Sequence, residues 1–230
     1  MPPETKQPTD YQNVISSEMD LKDNIRSGEL DGYAIRDFIV RNTSFAEKHF
    51  TNVLIQKITA IGASFDEFEG KTLQLSQGDF CRASFRWAEF DELNMLNCQA
   101  RECAFDQALL QNSSIFNTEM PNISFCNAKI VKTQFQDTNM YGAHFENAFI
   151  AQSQFTGSKN GQAELSRAMF KRAMILDSTL KDANLFAANF TDAILIRVDL
   201  RGANLAWADM RGAVLIDCKY YPDDMTNVQR

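Results

Sequence analysis

The sequence offers few of the side chains from which an active site is usually built. Its 230 residues include only two histidines, His49 and His144, which lie far apart and form no triad. It contains no glycine-rich phosphate loop, no H-E-x-x-H motif and no G-x-S-x-G motif. We therefore expect a protein that is not an enzyme and that has no catalytic residue and no cofactor.

Cysteine is also scarce, and its spacing is not that of a metal site. The five cysteines are an odd number, which argues against a disulfide framework. Cys98, Cys103 and Cys218 stand at equivalent positions of a repeat described below, where we expect them to pack inward as small apolar side chains. Cys81 and Cys126 fall at outward positions and are expected to be exposed thiols. The sequence thus predicts no metal site.

Excess positive charge and long apolar runs are lacking as well. The net charge is −7 and the sequence pI is about 4.9, which argues against binding nucleic acid through a basic face. An acidic chain instead suits a basic protein partner or imitation of nucleic acid. No apolar run is long enough to cross a bilayer. Residues 1–5 lack a basic segment followed by an apolar core, so a cytoplasmic location is predicted, with secretion that needs no such signal left open.

What the sequence does contain is a five-residue repeat, clearest over residues 163–215. In each unit a small residue stands two places before a large apolar one, as in the Ala-Asn-Leu segments at 183–185 and 203–205. A period of five fits neither the 3.6 residues of a helical turn nor the two of a strand. One unit cannot bury its large residue alone, so we expect a solenoid whose stacked coils share one core.

This pattern resembles that of the pentapeptide-repeat proteins, whose consensus is A-(D/N)-L-X-X. The resemblance covers about Leu30 to Tyr220 and implies an all-β fold, a right-handed quadrilateral β-helix with four pentapeptides in each coil. Every twentieth residue from Phe45 to Phe145 is a phenylalanine, which predicts one stacked column of rings in the core. Trp87 and Trp207 fall at corners, where we expect them to pack on neighbouring coils.

The repeat is interrupted at residues 156–162, which include two glycines and no apolar side chain. If this segment stays in the coil, Asn160 takes a core position and the column of rings gives way to Leu165. If about five residues bulge out, the column continues with Phe170 and Phe190, and no amide is buried without partners. We predict a protruding loop and treat it as a candidate interaction site. Its residues are Gly157, Ser158, Lys159, Asn160 and Gly161.

The chain is predicted to form one solenoid domain with short additions at both ends. Residues 1–28 are expected to be a flexible tail followed by a helical cap, with Ser17 as its N-cap residue and Gly28 at its end. Such a cap covers the strand edge that a solenoid would otherwise leave open. Residues 29–220 form the solenoid, and residues 221–230 a solvated C-terminal tail.

One outer side of the predicted solenoid is apolar where polar residues are expected. Its last three coils each present a pair of outward apolar residues, and a contiguous patch of this kind marks an interaction site. We expect this side to be the face of a homodimer; the alternative is that the C-terminal tail folds back and covers it. The residues are Met174, Leu176, Ile194, Ile196, Val214 and Ile216.

Acidic residues are denser in the first half of the chain, where they form a further candidate interaction face. Paired carboxylates can act as acid and base, but on a convex side without a pocket we expect them to be solvated. The residues are Asp66, Glu67, Glu69, Glu89, Asp91 and Glu92.

The resemblance implies a function as well as a fold. The best-known pentapeptide-repeat proteins are the Qnr-like resistance and self-immunity members, which bind type II DNA topoisomerases by imitating duplex DNA. This implies a non-catalytic interaction protein that gives drug or toxin resistance, with DNA gyrase or topoisomerase IV as its partner and no direct contact with nucleic acid or a membrane. The alternative is a secreted bacterial effector or secretion-system accessory, with the N-terminal tail as an address signal and the solenoid as a scaffold.

Overall fold

A computed structural model of the chain describes residue 11 and residues 13–41, 43–157 and 162–230. The chain winds into a solenoid of about ten turns, built from short parallel strands. Four pentapeptides complete one turn, because residues paired in adjacent turns lie twenty positions apart, as Leu110 and Ile130 do. The parallel β-solenoid predicted from the repeat is therefore confirmed. Its strands are β1 (Asn13–Ile15), β2 (Glu29–Asp31), β3 (Tyr33–Arg36), β4 (His49–Thr51), β5 (Leu54–Gln56), β6 (Glu69–Lys71), β7 (Gln74–Ser76), β8 (Glu89–Asp91), β9 (Asn94–Leu96), β10 (Leu109–Gln111), β11 (Ser114–Phe116), β12 (Lys129–Val131), β13 (Gln134–Gln136), β14 (Phe149–Ala151), β15 (Gln154–Thr156), β16 (Met174–Leu176), β17 (Ile194–Ile196) and β18 (Val214–Ile216).

Two of the four sides of the solenoid are continuous parallel sheets. The ten-stranded face has the order β2-β4-β6-β8-β10-β12-β14-β16-β17-β18, and the eight-stranded face has the order β1-β3-β5-β7-β9-β11-β13-β15. The chain then passes through a third and a fourth face, which are held by single bridges. Examples are Ile39 to Thr59 on the third face and Ser64 to Ser84 on the fourth.

The core is a set of columns formed by the central residue of each pentapeptide. The phenylalanine column lies behind the fourth face, where the ring centroids of Phe45 and Phe65 are 4.4 Å apart and their planes differ by 2°. Stacked ring pairs contribute about 0.5–1.5 kcal/mol beyond the burial of their area. The predicted column therefore exists and joins successive coils through the middle of the molecule.

The interruption of the repeat lengthens one coil by five residues. Phe149 pairs with Met174 and Ala151 with Leu176, so residues on either side of the interruption are 25 positions apart where twenty is the rule. The phenylalanine column accordingly continues from Phe145 to Phe170, with ring centroids 4.8 Å apart. The predicted register with five extra residues is confirmed. Residues 158–161, which include most of the predicted loop, lie outside the described residues.

In two pentapeptides the large and small residues occupy each other's positions: the small residue stands at the central position and the large residue two places before it. Gly70 stands at a central position, and the buried Phe68 fills the space, with its ring 5.0 Å from that of Phe50. A Cβ atom added to Gly70 would approach the ring of Phe90 to 2.9 Å. In the same way Ile58 is buried beside the small Ala60. The core is thus continuous where the consensus fails.

Nearly every pentapeptide that the structure describes ends in a corner whose residue has a left-handed backbone. This residue lies two places after the central one, and φ is +56° at both Glu67 and Trp87. The conformation lets the corner N–H donate to the next coil, as from Glu67 to the carbonyl of Arg86 at 2.8 Å. It also turns the side chain outward, so that Trp87 is 49% and Trp207 64% exposed. Both tryptophans stand at corners, as the repeat predicts, with about half or more of each side chain open to solvent.

The first coil is covered by the predicted helix, α1 (Glu18–Asn24), which continues as a 3-10 turn at Ile25–Ser27. Ser17 accepts a hydrogen bond from the N–H of Asp20 at 3.1 Å, and Gly28 has φ +89°, as a cap and a terminator require. Leu21 is fully buried against the solenoid. Within the described residues, no helix has the length and apolar character of a membrane span.

Both ends of the solenoid reach further than the sequence predicts. Strand β1 precedes the helix and pairs with β3, which buries Ile15 in a segment expected to be tail. Residues 221–230 likewise continue the winding: Pro222–Met225 form a 3-10 turn and Gln229 bridges to Asp209. Most residues of this segment are exposed, but Met225 is buried at the end of the core and the Met210 N–H donates to the carbonyl of Gln229.

Candidate interaction surface

The ten-stranded face has two outward rows of side chains, one residue before and one after each buried central residue. Side chains alternate across a strand, so both neighbours of an inward residue point outward. The first row reads Glu29, His49, Glu69, Glu89, Leu109, Lys129, Phe149, Met174, Ile194 and Val214, and the second reads Asp31, Thr51, Lys71, Asp91, Gln111, Val131, Ala151, Leu176, Ile196 and Ile216. One face therefore changes from charged to apolar along its length.

The apolar end of this face brings all six residues of the predicted apolar side together. Met174, Ile194 and Val214 are successive partners in one row, and the three remaining residues follow each other in the second row. Val214 is 47%, Ile216 45% and Met174 38% exposed, while the other three are half-buried. Phe149 and Ala151 extend the rows by one more strand. We call this surface, residues 149 and 151 together with the six, the apolar ladder.

The predicted acidic residues are only partly brought together. Glu67, Glu69 and Glu89 line a shallow groove beside Trp87 at the edge of the ten-stranded face. Asp91 lies on the same face and accepts a hydrogen bond from the Asn112 amide at 2.8 Å. His49 Nδ1 lies 2.8 Å from Glu69 Oε2 on the same face. We call Glu67, Glu69, Glu89 and Asp91 the acidic cluster.

The two other predicted acidic residues point elsewhere. Asp66 lies on the fourth face, where its carboxylate accepts hydrogen bonds from the Ser84 hydroxyl and, at 2.9 Å, from the Arg86 N–H. Glu92 stands at a corner and accepts from the Thr72 hydroxyl at 2.9 Å. The sequence spacing could not separate them from the acidic cluster, because residues one or two places apart lie on different sides of a corner.

The interruption of the repeat falls at a corner that does not border the ten-stranded face. It follows β15 on the eight-stranded face and precedes the buried Ala163, which leads into the third face. Gly157 is described and exposed, whereas Ser158, Lys159, Asn160 and Gly161 lie outside the described residues. Gly157 and the apolar ladder therefore lie on different sides of the solenoid.

Cys98 and Cys103 lie inward as the repeat predicts, whereas Cys81, Cys126 and Cys218 are all half-buried. Cys98 and Cys103 are buried, and burial raises the pKa of the Cys98 thiol to about 11 and that of Cys103 to about 12. Such thiols are inert at neutral pH because the reactive thiolate is hardly populated. Cys126, expected to be exposed, is half-buried because it lies between Ser124 and Glu146 on the fourth face.

Cys126 belongs to a cluster with His144 and Glu146 that sequence reasoning missed. Cys126 Sγ lies 3.4 Å from Glu146 Oε2, and His144 Nδ1 lies 3.2 Å from Glu146 Oε1. The signal was present, since Glu146 stands one twenty-residue coil above Cys126 and two places after His144. Along the chain the three residues form no conventional metal-binding motif, and only counting by coils brings them together.

Comparison with known proteins supports the repeat assignment. The model of the family described as pentapeptide repeats matches residues 178–217 in eight copies. A search of curated protein sequences found no significant match. The chain is similar to HetL, a pentapeptide repeat protein involved in heterocyst differentiation regulation from the cyanobacterium Nostoc sp. strain PCC 7120, at 18% identity over 76% of this chain and 86% of HetL, with a TM-score of 0.45. It is also similar to a trypsin-treated form of QnrB1, a plasmid-mediated fluoroquinolone resistance protein, at 16% identity over 86% of this chain and 93% of that one, with a TM-score of 0.44.

Proposed function

This chain is a pentapeptide-repeat protein, and on that premise we propose that it is a non-catalytic scaffold that binds a protein through its ten-stranded face. The observation that carries the proposal is the apolar ladder. Its exposed members Met174, Val214 and Ile216 lie on one face, with the half-buried Ile194 between Met174 and Val214, where polar residues would suit a solvated surface. Contiguous exposed apolar surface of this kind marks sites of protein association.

The partner that fits the apolar ladder best is a second copy of the chain. The described C-terminal segment does not cover the ladder, since Gln229 bridges to Asp209 on the fourth face. The ladder carries no charge, so it meets its own copy without repulsion. A two-fold contact requires this self-complementarity, and it is the commonest closed arrangement of soluble proteins.

The dimension of the ladder sets the expected strength of the dimer. Its four strands, spaced by about 4.8 Å, make it roughly 14 Å tall. Stable interfaces bury about 800 Å² on each partner, and association loses several kcal/mol of translational and rotational freedom. A contact of this height is small beside such stable interfaces. We therefore expect a dimer that dissociates on dilution through the micromolar range.

Light scattering of the untagged chain over a dilution series tests the proposal. A mass of two chains at tens of micromolar that falls towards one chain on dilution supports a dimer through a small face. A mass of one chain at every concentration contradicts it. A mass that stays at two chains down to nanomolar concentration contradicts the small interface.

A finer proposal concerns the acidic end of the same face. We propose that the acidic cluster, on a rod of net charge −7, imitates the negative charge of duplex DNA towards DNA gyrase or topoisomerase IV. The test is gyrase supercoiling in the presence of the wild-type chain and of the variant Glu69→Gln/Glu89→Gln. The variant Glu102→Gln/Asp182→Asn removes equal charge from exposed corners elsewhere and is the control.

Three outcomes of the supercoiling assay are distinguishable. Modulation by the wild type and the control, with a clear loss in the Glu69→Gln/Glu89→Gln variant, supports imitation by the acidic cluster. Equal loss in both variants contradicts a role for that cluster in particular. No effect of the wild type over a wide concentration range removes the topoisomerase hypothesis and leaves the apolar ladder to be judged by light scattering.

A further inference from the structure

The fourth face carries three side chains of the types that bind transition metals. Among the described residues, Cys126, His144 and Glu146 offer one thiol, one imidazole and one carboxylate, whose ligand atoms all lie within 4.8 Å of one another. We propose that these three residues form a binding site for a zinc-like divalent cation. The site is on a different face from the apolar ladder, and the proposed interaction function does not require it.

The spacing of the three ligand atoms is close to that of a tetrahedral zinc site. Zinc binds sulfur at about 2.3 Å and nitrogen or oxygen at about 2.0–2.2 Å, so tetrahedral ligand atoms lie roughly 3.3–3.7 Å apart. The Glu146 carboxylate already lies 3.4 Å from Cys126 Sγ and 3.2 Å from His144 Nδ1. These two contacts use different oxygens of the carboxylate, and the three ligand atoms lie within 4.8 Å of one another, so small side-chain rotations can bring them to tetrahedral spacing.

The backbone below the cluster holds these side chains in fixed positions. His144 and Glu146 flank Phe145, whose ring stacks on that of Phe125 at 5.2 Å. The N–H of Phe125 donates to the His144 carbonyl at 2.7 Å, and the two coils are also bridged at Ser124 and His144. Ligands carried on such a rigid base lose little freedom when a metal binds, which favours affinity.

A neighbouring carboxylate orients the cysteine without competing for the metal. Asp106 Oδ1 accepts hydrogen bonds from the Ser124 hydroxyl and, at 3.2 Å, from the Cys126 N–H. Arg86 Nε lies 3.4 Å from the other oxygen of Asp106. Groups that hold a ligand in place typically change metal affinity by about ten- to a hundredfold. Asp106 is therefore a positioning residue of the proposed site.

The set of donor atoms selects the class of metal. A thiolate, an imidazole and a carboxylate suit zinc or cobalt, whereas magnesium and calcium prefer oxygen ligands alone. The three protein ligands leave a fourth position, which faces solvent and which water can fill. Binding of Zn²⁺ would release the proton of the Cys126 thiol to solvent, because the thiolate is the ligand.

Calorimetric titration of the untagged, chelator-treated chain with Zn²⁺ tests the site. We expect one Zn²⁺ bound per chain, with affinity reduced at least tenfold in each of Cys126→Ser, His144→Gln and Glu146→Gln. Titration with Co²⁺ should produce a thiolate-to-cobalt absorption band that Cys126→Ser abolishes. Zn²⁺ should also protect Cys126 of the wild type against a thiol reagent, a readout that needs no variant to fold.

Two control variants match the ligands by residue type. His49→Gln removes a histidine that lies 2.8 Å from a glutamate but has no cysteine beside it, and Cys81→Ser removes another half-buried thiol. Both should leave Zn²⁺ binding unchanged. The proposal is overturned by the absence of saturable binding, by unchanged affinity in Cys126→Ser and His144→Gln, or by loss of binding in either control.

Discussion

Two residues of one coil, Phe105 and Gln107, illustrate how sharply the five-residue period divides the chain. Phe105 is 1% exposed and stacks on Phe85, with ring centroids 4.4 Å apart. Gln107 occupies an exposed corner with φ +62°. We expect Phe105→Ala to lower the free energy of unfolding by about 3–5 kcal/mol, as for a large aromatic removed from a packed core.

The comparison variant is Gln107→Ala, which should change the free energy of unfolding by no more than about 0.5 kcal/mol. Urea titration of both variants measures the difference. Similar losses in the two would show that the inward register is wrong.

A second residue-scale prediction concerns acid stability at the last coils. Arg211 donates to the Asp209 carboxylate through Nε at 2.9 Å and Nη2 at 2.6 Å. These hydrogen bonds hold the pKa of Asp209 at about 2, below its ordinary 3.8. A carboxylate whose pKa is depressed in the folded state stabilises the protein above the unfolded-state pKa, and this contribution is lost as pH falls from about 4 towards 2.

Asp209→Asn should therefore flatten the decline of stability over that pH range. Urea unfolding at several pH values between about 5 and 2 measures it. Asp192→Asn, which removes an exposed corner carboxylate 17 residues earlier in the chain (209 − 192), serves as the control and should keep the wild-type slope. An unchanged slope in Asp209→Asn would contradict the assigned role of the Arg211 pair.

At the scale of the pentapeptide, the exchange of Phe68 and Gly70 makes a prediction about paired substitutions. Phe68→Ala alone should cost about 3–5 kcal/mol by leaving a cavity. Gly70→Leu alone should cost about 1–3 kcal/mol or more, because its side chain would meet the rings of Phe68 and Phe90. Together they recreate the consensus small-x-large unit and should be less destabilising than Phe68→Ala alone.

Double-mutant analysis by urea titration gives the coupling energy of this pair. Phe68→Ala combined with Leu195→Ala, a core residue many coils away, should instead be additive within about 0.5 kcal/mol. Additivity of the Phe68→Ala/Gly70→Leu pair would mean that Phe68 does not fill the space beside Gly70.

The extra five residues of the long coil lead to a prediction about deletion. Removing residues 157–161 returns the spacing of Gln154 and its partner Thr179 from 25 residues to twenty and takes away no described core side chain. We expect the shortened chain to fold, with a free energy of unfolding within about 1 kcal/mol of the wild type.

A deletion of residues 117–121 is the matched control. It also removes five residues, but these include the buried Met120, and every later pentapeptide moves back by one face, so that the core columns no longer align. Circular dichroism and urea titration compare the two deletions. Loss of fold on deleting residues 157–161 would mean that they contribute to the coil.

The sequence predicts the fold well because one rule places nearly every large residue. It predicts the surfaces less well because residues adjacent in sequence can be separated by a corner and lie on different faces. Counting in fives predicts both the column through Phe145 and Phe170 and the outward positions of the apolar ladder. The exchange at Phe68 does not, since only packing reveals which of two inward positions holds the larger side chain. Asp66 and Glu67, adjacent in sequence, lie on opposite sides of one bend and belong to different surfaces.

At the scale of the whole molecule, the polarity of the ten-stranded face constrains how two copies can meet. Full antiparallel overlap would place the acidic cluster of one copy on the apolar ladder of the other and desolvate its carboxylates without partners. A two-fold axis through the ladder avoids this, because only the C-terminal coils overlap and the two acidic ends point apart. The expected dimer is therefore elongated, and small-angle scattering should show a maximum dimension much larger than that of one chain.

Charging the centre of the ladder tests this arrangement most directly. In Ile194→Asp/Ile196→Asp, a two-fold contact sets like charges against each other, so the variant should remain folded and become monomeric. Both side chains flank the buried Leu195 and point outward, so the core is untouched. Asn204→Asp/Ala206→Asp adds the same two charges beside the buried Leu205 on the third face and should stay dimeric. Light scattering decides between them: a dimeric ladder variant, or equal dissociation of both variants, would show that the apolar ladder is not the contact.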